Sequence, residues 1–193
     1  MIARMLMIFA AAALVSGCST VRNPPRLVEN TQPADTSPAA RMAQALAAAH
    51  RADAERDSEA MGEALTVLDS LGAQPLDEGA RLARARWEEL RPAGLPPMRG
   101  RTLGPGFKSG TIAAGGKAVI EQTFLAGKKA SIALSAPSGA PLELGVRDPE
   151  PRLLCEKRGV EANCSWIPVF TGRYRIELAN PGRRSADYYL VIN

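Results

Sequence analysis

The sequence predicts an α+β protein with segregated halves, in which a short bundle of about three helices precedes an all-β, jelly-roll-like sandwich of seven or eight strands. Apolar residues recur at helical spacing from Pro38 to Arg91, whereas beyond Gly106 they alternate with polar residues at a period of two. Between the halves, residues 91–106 contain four prolines, which helix interiors and central strands rarely accept. The two periods and this boundary define the predicted fold class.

The first residues combine one positive charge, Arg4, with a short apolar run that ends at Leu14-Val15-Ser16-Gly17-Cys18. The run is too short to span a bilayer, and small residues at its end are typical of a cleavable signal peptide. It resembles the lipobox of bacterial lipoproteins, in which the cysteine is diacylated, the peptide is cut before it, and the new N-terminus is acylated. The resemblance implies a signal peptide over residues 1–17 and lipid attachment at Cys18. An ordinary signal peptide with a chance cysteine is the alternative.

Three acyl chains would hold the protein on a membrane without a transmembrane helix. By the sorting rule of the lipoprotein family, Ser19 in place of aspartate implies the bacterial outer membrane, with the protein on its periplasmic face. Residues 18–37 are polar and proline-rich, so we expect them to form a flexible tether. Ser37 followed by Pro38 then predicts the start of the first helix.

Residues 38–91 are rich in alanine and carry two apolar stripes at helical spacing, one around Leu46 and one around Leu65. The stretch from Asp53 to Glu59 lacks large apolar side chains, so either a turn or one continuous helix fits there, and we favour the turn. Gly72 predicts a helix end, and Asp77 predicts the start of a third helix. We expect three short antiparallel helices.

After a linker over residues 92–100, residues 101–193 show short alternating segments separated by glycine and proline, which is typical of a β-sandwich. Cys155 and Cys164 form an even pair that favours a disulfide in an oxidising compartment. A metal site is the alternative, but two thiols without a nearby histidine are an incomplete ligand set. Strand alternation places the two cysteines opposite each other, so we expect the bond to clip a hairpin around Gly159. Gly115-Gly116 predicts another hairpin turn.

Six segments of this half have an informative order and spacing. They are FLAG (124–127), ASI (130–132), LELGVRD (142–148), CSWIP (164–168), TGRYRI (171–176) and YYLVIN (188–193). Together they resemble the bacterial pre-peptidase C-terminal domain over roughly residues 101–193. The resemblance implies a jelly-roll sandwich that serves as a non-catalytic unit for secretion, targeting or surface binding. Family members often carry several aspartates near residues 142–144, where this chain has few acids, so we expect no calcium site.

The sequence offers no catalytic or cofactor-binding set. The single histidine, His50, lies on the alanine-rich helix, far from any serine–aspartate or cysteine arrangement. Glu88 and Glu89 are neighbours on a helix and do not face each other. We therefore expect no enzymatic activity, no metal and no cofactor.

Charge and aromatic residues suggest a binding surface. The chain has a formal net charge of +4, and basic residues are in excess in residues 98–193. The candidate residues are Arg173, Arg175, Arg183 and Arg184, expected to cluster near the turns at Gly172 and Pro181, together with Tyr189. Strand parity directs Arg173 and Arg175 to solvent, makes Tyr189 the better exposed aromatic, and places Trp166, Tyr174 and Tyr188 in the core. Solvation of the surface is the alternative role for these arginines.

These observations predict a non-catalytic, lipid-anchored binding or scaffolding protein of the bacterial periplasm. Its partners would be the membrane through Cys18, and anionic lipid, lipopolysaccharide, a glycan or other envelope proteins, but not nucleic acid. One alternative is an adaptor lipoprotein that contacts its partner through the helices. The other is an uncharacterised envelope hydrolase.

Overall fold

The computed structural model describes residues 37–95 and 104–193. The predicted signal peptide, Cys18, nearly all of the tether and most of the linker lie outside the described residues. The fold class is confirmed: three helices are followed by a β-sandwich of two sheets. The helices are α1 (Pro38–Glu55), α2 (Ser58–Leu71) and α3 (Glu78–Glu89). The strands are β1 (Gln74–Pro75), β2 (Gly106–Ile112), β3 (Lys117–Phe124), β4 (Ala130–Ser135), β5 (Leu142–Arg147), β6 (Leu153–Gly159), β7 (Glu161–Trp166), β8 (Gly172–Ala179) and β9 (Ala186–Ile192).

Local capping groups set the ends of the helices. Ser37 accepts a hydrogen bond from the backbone N–H of Ala40 at 3.2 Å, and Pro38 follows in the first turn. The predicted turn between α1 and α2 is present, with Arg56 in the left-handed conformation at φ 57°. Gly72 ends α2 at φ 67°, and Asp77 caps α3. These bounds confirm the three-helix prediction.

The sandwich contains one strand more than predicted. The five-stranded sheet has the order β1-β2-β9-β4-β7, and the four-stranded sheet has the order β3-β8-β5-β6. The additional strand, β1, comes from the α2–α3 connection and pairs in parallel with β2. The backbone N–H of Leu76 donates to the carbonyl oxygen of Phe107 at 2.8 Å. A two-residue strand cannot be predicted from alternation, because the pattern of apolar and polar residues must repeat over several residues before it can be recognised.

The helices cover the outer face of the five-stranded sheet. Apolar side chains of all three helices, including Leu46 and Trp87, pack with side chains of β2, β4 and β9, including Phe107 and Val191. Ser135 of β4 also donates a hydrogen bond to the carbonyl oxygen of Ala43 in α1 at 2.9 Å. A second core fills the space between the sheets. The helical and β halves therefore share a hydrophobic core although they are separate in sequence.

Tyr189 does not face solvent, and the prediction that it is the exposed aromatic of a binding surface is wrong. Its side chain is 4% exposed, its ring centroid lies 5.7 Å from that of Trp87, and its hydroxyl lies 3.1 Å from Nδ1 of His50. Burial raises the pKa of the Tyr189 phenol, which stays protonated. Strand alternation assigns residues to one face or the other of a sheet. Here the helices cover the face that was expected to be exposed to solvent. Tyr174 is buried between the sheets as predicted, and Trp166 and Tyr188 are half-buried against the same core.

The predicted disulfide between Cys155 and Cys164 is present, with the Cα atoms 6.0 Å apart, but its predicted role is wrong. Cys155 lies on β6 of the four-stranded sheet and Cys164 on β7 of the five-stranded sheet. The bond therefore ties the two sheets together and does not clip a hairpin. Gly115, at φ 67°, likewise joins β2 to β3 across the sheets, not within one hairpin. Alternation does not specify which sheet a strand joins.

Within residues 37–95 and 104–193, no helix is both long enough and apolar enough to cross a membrane.

Candidate functional site: an apolar groove at one end of the sandwich

Three connections meet at one end of the sandwich, which we call the loop end. They are the β3–β4 loop (residues 125–129), the β5–β6 loop (residues 148–152) and the β7–β8 loop (residues 167–171). Strand register brings them together, because Ala130 pairs with Trp166 and Phe124 pairs with Gly172. The β5–β6 and β7–β8 loops line an open groove of about 640 Å³.

The β7–β8 loop exposes three large apolar side chains in four residues. Ile167, Val169 and Phe170 are 65%, 77% and 78% exposed, the highest values of any large apolar residue that the structure describes. Leu125 on the β3–β4 loop and Leu154 beside the groove are also exposed. Single exposed apolar residues are common, but a contiguous patch is typical of an interaction site.

Hydrogen bonds and packing hold the β7–β8 loop in place. The backbone N–H of Gly127 donates to the carbonyl oxygen of Pro168 at 2.8 Å, and the N–H of Ala126 donates to Oγ1 of Thr171 at 3.0 Å. Gly172 lies against the β5–β6 loop so closely that a Cβ atom there would be 2.6 Å from Cγ of Pro149. The apolar side chains therefore project from a backbone that both neighbouring loops support.

An aromatic cluster of Phe124, Trp166 and Tyr174 lies beneath the groove. The ring centroid of Phe124 is 4.9 Å from that of Trp166 and 5.6 Å from that of Tyr174, both with edge-to-face geometry. Trp166 and Tyr174 also line the groove, with their centroids 5.5 Å apart. The cluster joins β3, β7 and β8, so it gives the loop end a rigid base.

The carboxylates beside the groove are already engaged. Asp148 accepts hydrogen bonds from Nε of Arg152 at 2.8 Å and from the backbone N–H groups of Arg152 and Glu150. Burial acts to raise the pKa of Asp148, but the hydrogen bonds and the charge of Arg152 outweigh it, so the pKa is lowered from its ordinary value. Glu150 lies 3.2 Å from Arg152. Among the described residues, no three or more metal-ligating side chains converge on one point.

Two lysines lie on the loop next to the apolar patch. Lys128 and Lys129 are both exposed and directly follow Gly127, which is hydrogen-bonded to the β7–β8 loop. Neither lysine forms an ion pair with another residue in the described part of the chain. The loop end thus combines an apolar patch with two available positive charges.

The predicted arginines do not form one cluster. Arg173 and Arg175 are exposed on one face of β8, as parity predicts, but Arg173 lies 3.2 Å from Glu121 and Arg175 lies 2.8 Å from Glu177. Arg183 and Arg184 follow the opposite end of β8, about 20 Å from Arg173 at the usual rise of a strand. The prediction that the four arginines cluster is wrong, because the turns at Gly172 and Pro181 lie at opposite ends of β8. Binding by any of these arginines stays a prediction.

Sequence reasoning missed the apolar loop itself. Ile167, Val169 and Phe170 follow a strand and precede Gly172, so they look like the end of an apolar strand segment. The available signal was a cluster of large apolar residues at a position where turn residues are polar in most proteins. Only the structure shows that this cluster lies on a loop and faces solvent.

No family model matches this sequence, and no curated protein has significant similarity to it. One solved structure that is similar to this chain is the pre-peptidase C-terminal domain of a collagenase from Bacillus anthracis. The two share 15% sequence identity and have a TM-score of 0.38, and the match covers 45% of this chain and 87% of that chain. PliG from Aeromonas hydrophila, a periplasmic inhibitor of g-type lysozyme, has 11% identity, coverage of 46% and 84%, and a TM-score of 0.38. The mitogen derived from Yersinia pseudotuberculosis has 14% identity, the same coverage and a TM-score of 0.38.

The match to the pre-peptidase C-terminal domain covers less than half of this chain.

Proposed function

We propose that this protein is a non-catalytic, lipid-anchored protein of the bacterial envelope that binds through the loop end of its sandwich. The observation that carries the proposal is the joint exposure of Ile167, Val169 and Phe170 on a loop that hydrogen bonds hold in place. Removal of such an apolar surface from water by a partner is energetically favourable.

Two sequence features support the envelope location. The lipobox-like stretch that ends at Cys18 favours a lipid anchor, and Ser19 favours the outer membrane. The Cys155–Cys164 disulfide is compatible with the oxidising periplasm. The tether would then hold the sandwich near the membrane.

The helices are less suited to bind a partner. Their apolar stripes are buried against one another and against the five-stranded sheet. Leu82 on α3 is the large apolar side chain that the helices expose most, at 60%. No other large apolar side chain of the three described helices is exposed, whereas the loop end presents several neighbouring ones. The adaptor alternative therefore has a smaller contact surface.

The groove gives little support to the hydrolase alternative. Asp148 is hydrogen-bonded to Arg152 and is therefore not poised to take a proton. His50 lies at the helix–sheet interface beside Tyr189, not at the loop end.

The accessibility of a thiol at position 170 in living cells tests the proposal. If Cys18 is acylated and Cys155 is bonded to Cys164, Phe170→Cys provides the free thiol of the mature chain. We expect N-ethylmaleimide to alkylate it several-fold more slowly in cells than in the purified, unlipidated chain in buffer. Leu82→Cys is the matched control and should react at similar rates in both settings. Equal protection at both positions, or none at position 170, would contradict the proposal.

The anchor requires a separate test. Cys18→Ser should abolish labelling with radioactive palmitate and shift the protein from the membrane fraction to the soluble or unprocessed fraction. A labelled, membrane-bound Cys18→Ser protein would show that the anchor lies elsewhere.

A further inference from the structure

We propose that the loop end docks on a bilayer surface that contains anionic phospholipids. In this arrangement Ile167, Val169 and Phe170 enter the boundary of the acyl chains, while Lys128 and Lys129 contact headgroup phosphates. The inference rests on the proposed function, because it names the occupant of the same site.

The arrangement of apolar and basic side chains favours a bilayer. Interfacial binding combines apolar groups that enter the acyl boundary with flanking lysines or arginines that meet anionic headgroups. The hydrogen bond between Gly127 and Pro168 places the lysine-bearing loop directly beside the apolar loop. Both components of interfacial binding therefore occur on adjacent, mutually supported loops.

The other charges near the loop end reduce its positive charge but do not reverse it. Asp148 and Glu150 carry two negative charges and Arg152, which contacts both, carries one positive charge, so the β5–β6 loop keeps one net negative charge. Glu121 is paired with Arg173. Lys128 and Lys129 add two positive charges, so the three loops together have a net charge of +1, and this sign is complementary to anionic headgroups.

A lipid anchor at Cys18 would keep the loop end close to the membrane. Residues 19–36 could span at most about 60 Å when fully extended. Attachment through a short linker raises the local concentration of the attached surface at the bilayer to the millimolar range. Weak insertion by a few side chains is then sufficient for substantial docking.

A glycan would require a different site. Sugar-binding surfaces combine stacking aromatic rings with free polar groups. At the loop end Phe170 is the strongly exposed ring, and the carboxylate of Asp148 is occupied by Arg152. The observed chemistry fits acyl chains and phosphates better.

A fluorophore on the apolar loop tests insertion. The lipidated full-length protein carrying Val169→Cys, labelled with an environment-sensitive dye, is reconstituted into vesicles of phosphatidylethanolamine and phosphatidylglycerol. We expect a blue-shifted emission that nitroxide-labelled lipids quench. Ser138→Cys, on the exposed β4–β5 connection at the opposite end of β4, is the matched control and should show neither effect.

Matched variants test the two components separately, with the unlipidated chain from Ser19 sedimented with the same vesicles. The double change Val169→Ser and Phe170→Ser should weaken vesicle binding at least about tenfold. Lys128→Gln with Lys129→Gln should weaken it at least about tenfold at low salt, since each lysine near an anionic surface contributes about fivefold. Lys117→Gln with Lys157→Gln, two exposed lysines on β3 and β6 outside the three loops, is the charge-matched control and should leave binding unchanged.

The outcomes separate this inference from the proposed function. Loss of vesicle binding in the loop variants but not in the Lys117 and Lys157 control supports membrane docking. Emission of the lipidated, labelled protein that is neither blue-shifted nor quenched, or equal and measurable vesicle binding by all variants, overturns it. If the thiol at position 170 is nevertheless protected in cells, the loop end binds a protein or a glycan, and the proposed function stands without this inference. If position 170 is not protected in cells and the labelled loop does not insert into vesicles, both the inference and the proposed function are overturned.

Discussion

Replacement of Tyr189 measures how firmly the helices are packed on the five-stranded sheet. The side chain is 4% exposed, its ring packs near Trp87, and its hydroxyl is hydrogen-bonded to His50. Truncation of a buried aromatic residue to alanine removes its transfer free energy and leaves a cavity, which together cost about 3–5 kcal/mol. We expect this loss of unfolding free energy for Tyr189→Ala. Tyr189→Phe keeps the ring and removes the hydrogen bond, for which we expect about 0.5–1.5 kcal/mol.

Urea unfolding of the unlipidated chain, followed by circular dichroism with the disulfide intact, provides the assay. The dependence of the free energy on urea should stay constant, so that a change in midpoint reports stability alone. Phe170→Ala is the control, because this ring is 78% exposed and its loss should change stability by no more than about 0.5 kcal/mol. If Tyr189→Ala were as mild as Phe170→Ala, the helices would not cover β9 and the described packing would be refuted.

Four further predictions concern the disulfide and the β5–β6 loop. Mass spectrometry without reduction should find the Cys155 and Cys164 peptides linked, and two free thiols would contradict the disulfide. Replacing both cysteines with alanine should lower stability by about 2–3 kcal/mol without loss of strand content, because the sequence separation is 9; unchanged stability would show that the bond does not restrain the unfolded chain. The Asp148 carboxyl should titrate below its ordinary pKa of 3.8 by nuclear magnetic resonance, so its stabilising contribution is present above that pH and is lost as the pH falls through the lower folded value. Arg152→Gln should raise the Asp148 pKa towards 3.8, and an unchanged pKa would mean that Arg152 is not the cause.

The parts of the fold that the sequence predicts correctly depend on neighbouring residues. Ser37 with Pro38, Gly72 and Asp77 act within one helical turn, through a side-chain cap or a left-handed backbone conformation, and the structure confirms all of them. The β-half likewise follows from alternation over a few residues at a time. Fold class and helix bounds were therefore accessible without any tertiary information.

The predictions that were wrong depend on which secondary-structure elements pack against each other. Nothing near Tyr189 in the sequence shows that α1 and α3 cover its face of the sheet. Nothing near Gly159 shows that β6 and β7 join different sheets, so the role of the disulfide was predicted wrongly while its pairing was right. The candidate site was missed for the same reason, because three loops far apart in sequence create it. Burial of one sheet face and convergence of loops are properties of the topology.

Hydrogen–deuterium exchange of the lipidated protein tests most directly whether the loop end is the binding surface. Exchange is compared between isolated outer membranes and the unlipidated chain in buffer, for peptides covering residues 167–171 and residues 181–185. We expect slower exchange of residues 167–171 at the loop end in membranes, with residues 181–185 at the opposite end of β8 unchanged. Equal exchange of residues 167–171 in both settings, or protection confined to residues 181–185, would contradict it.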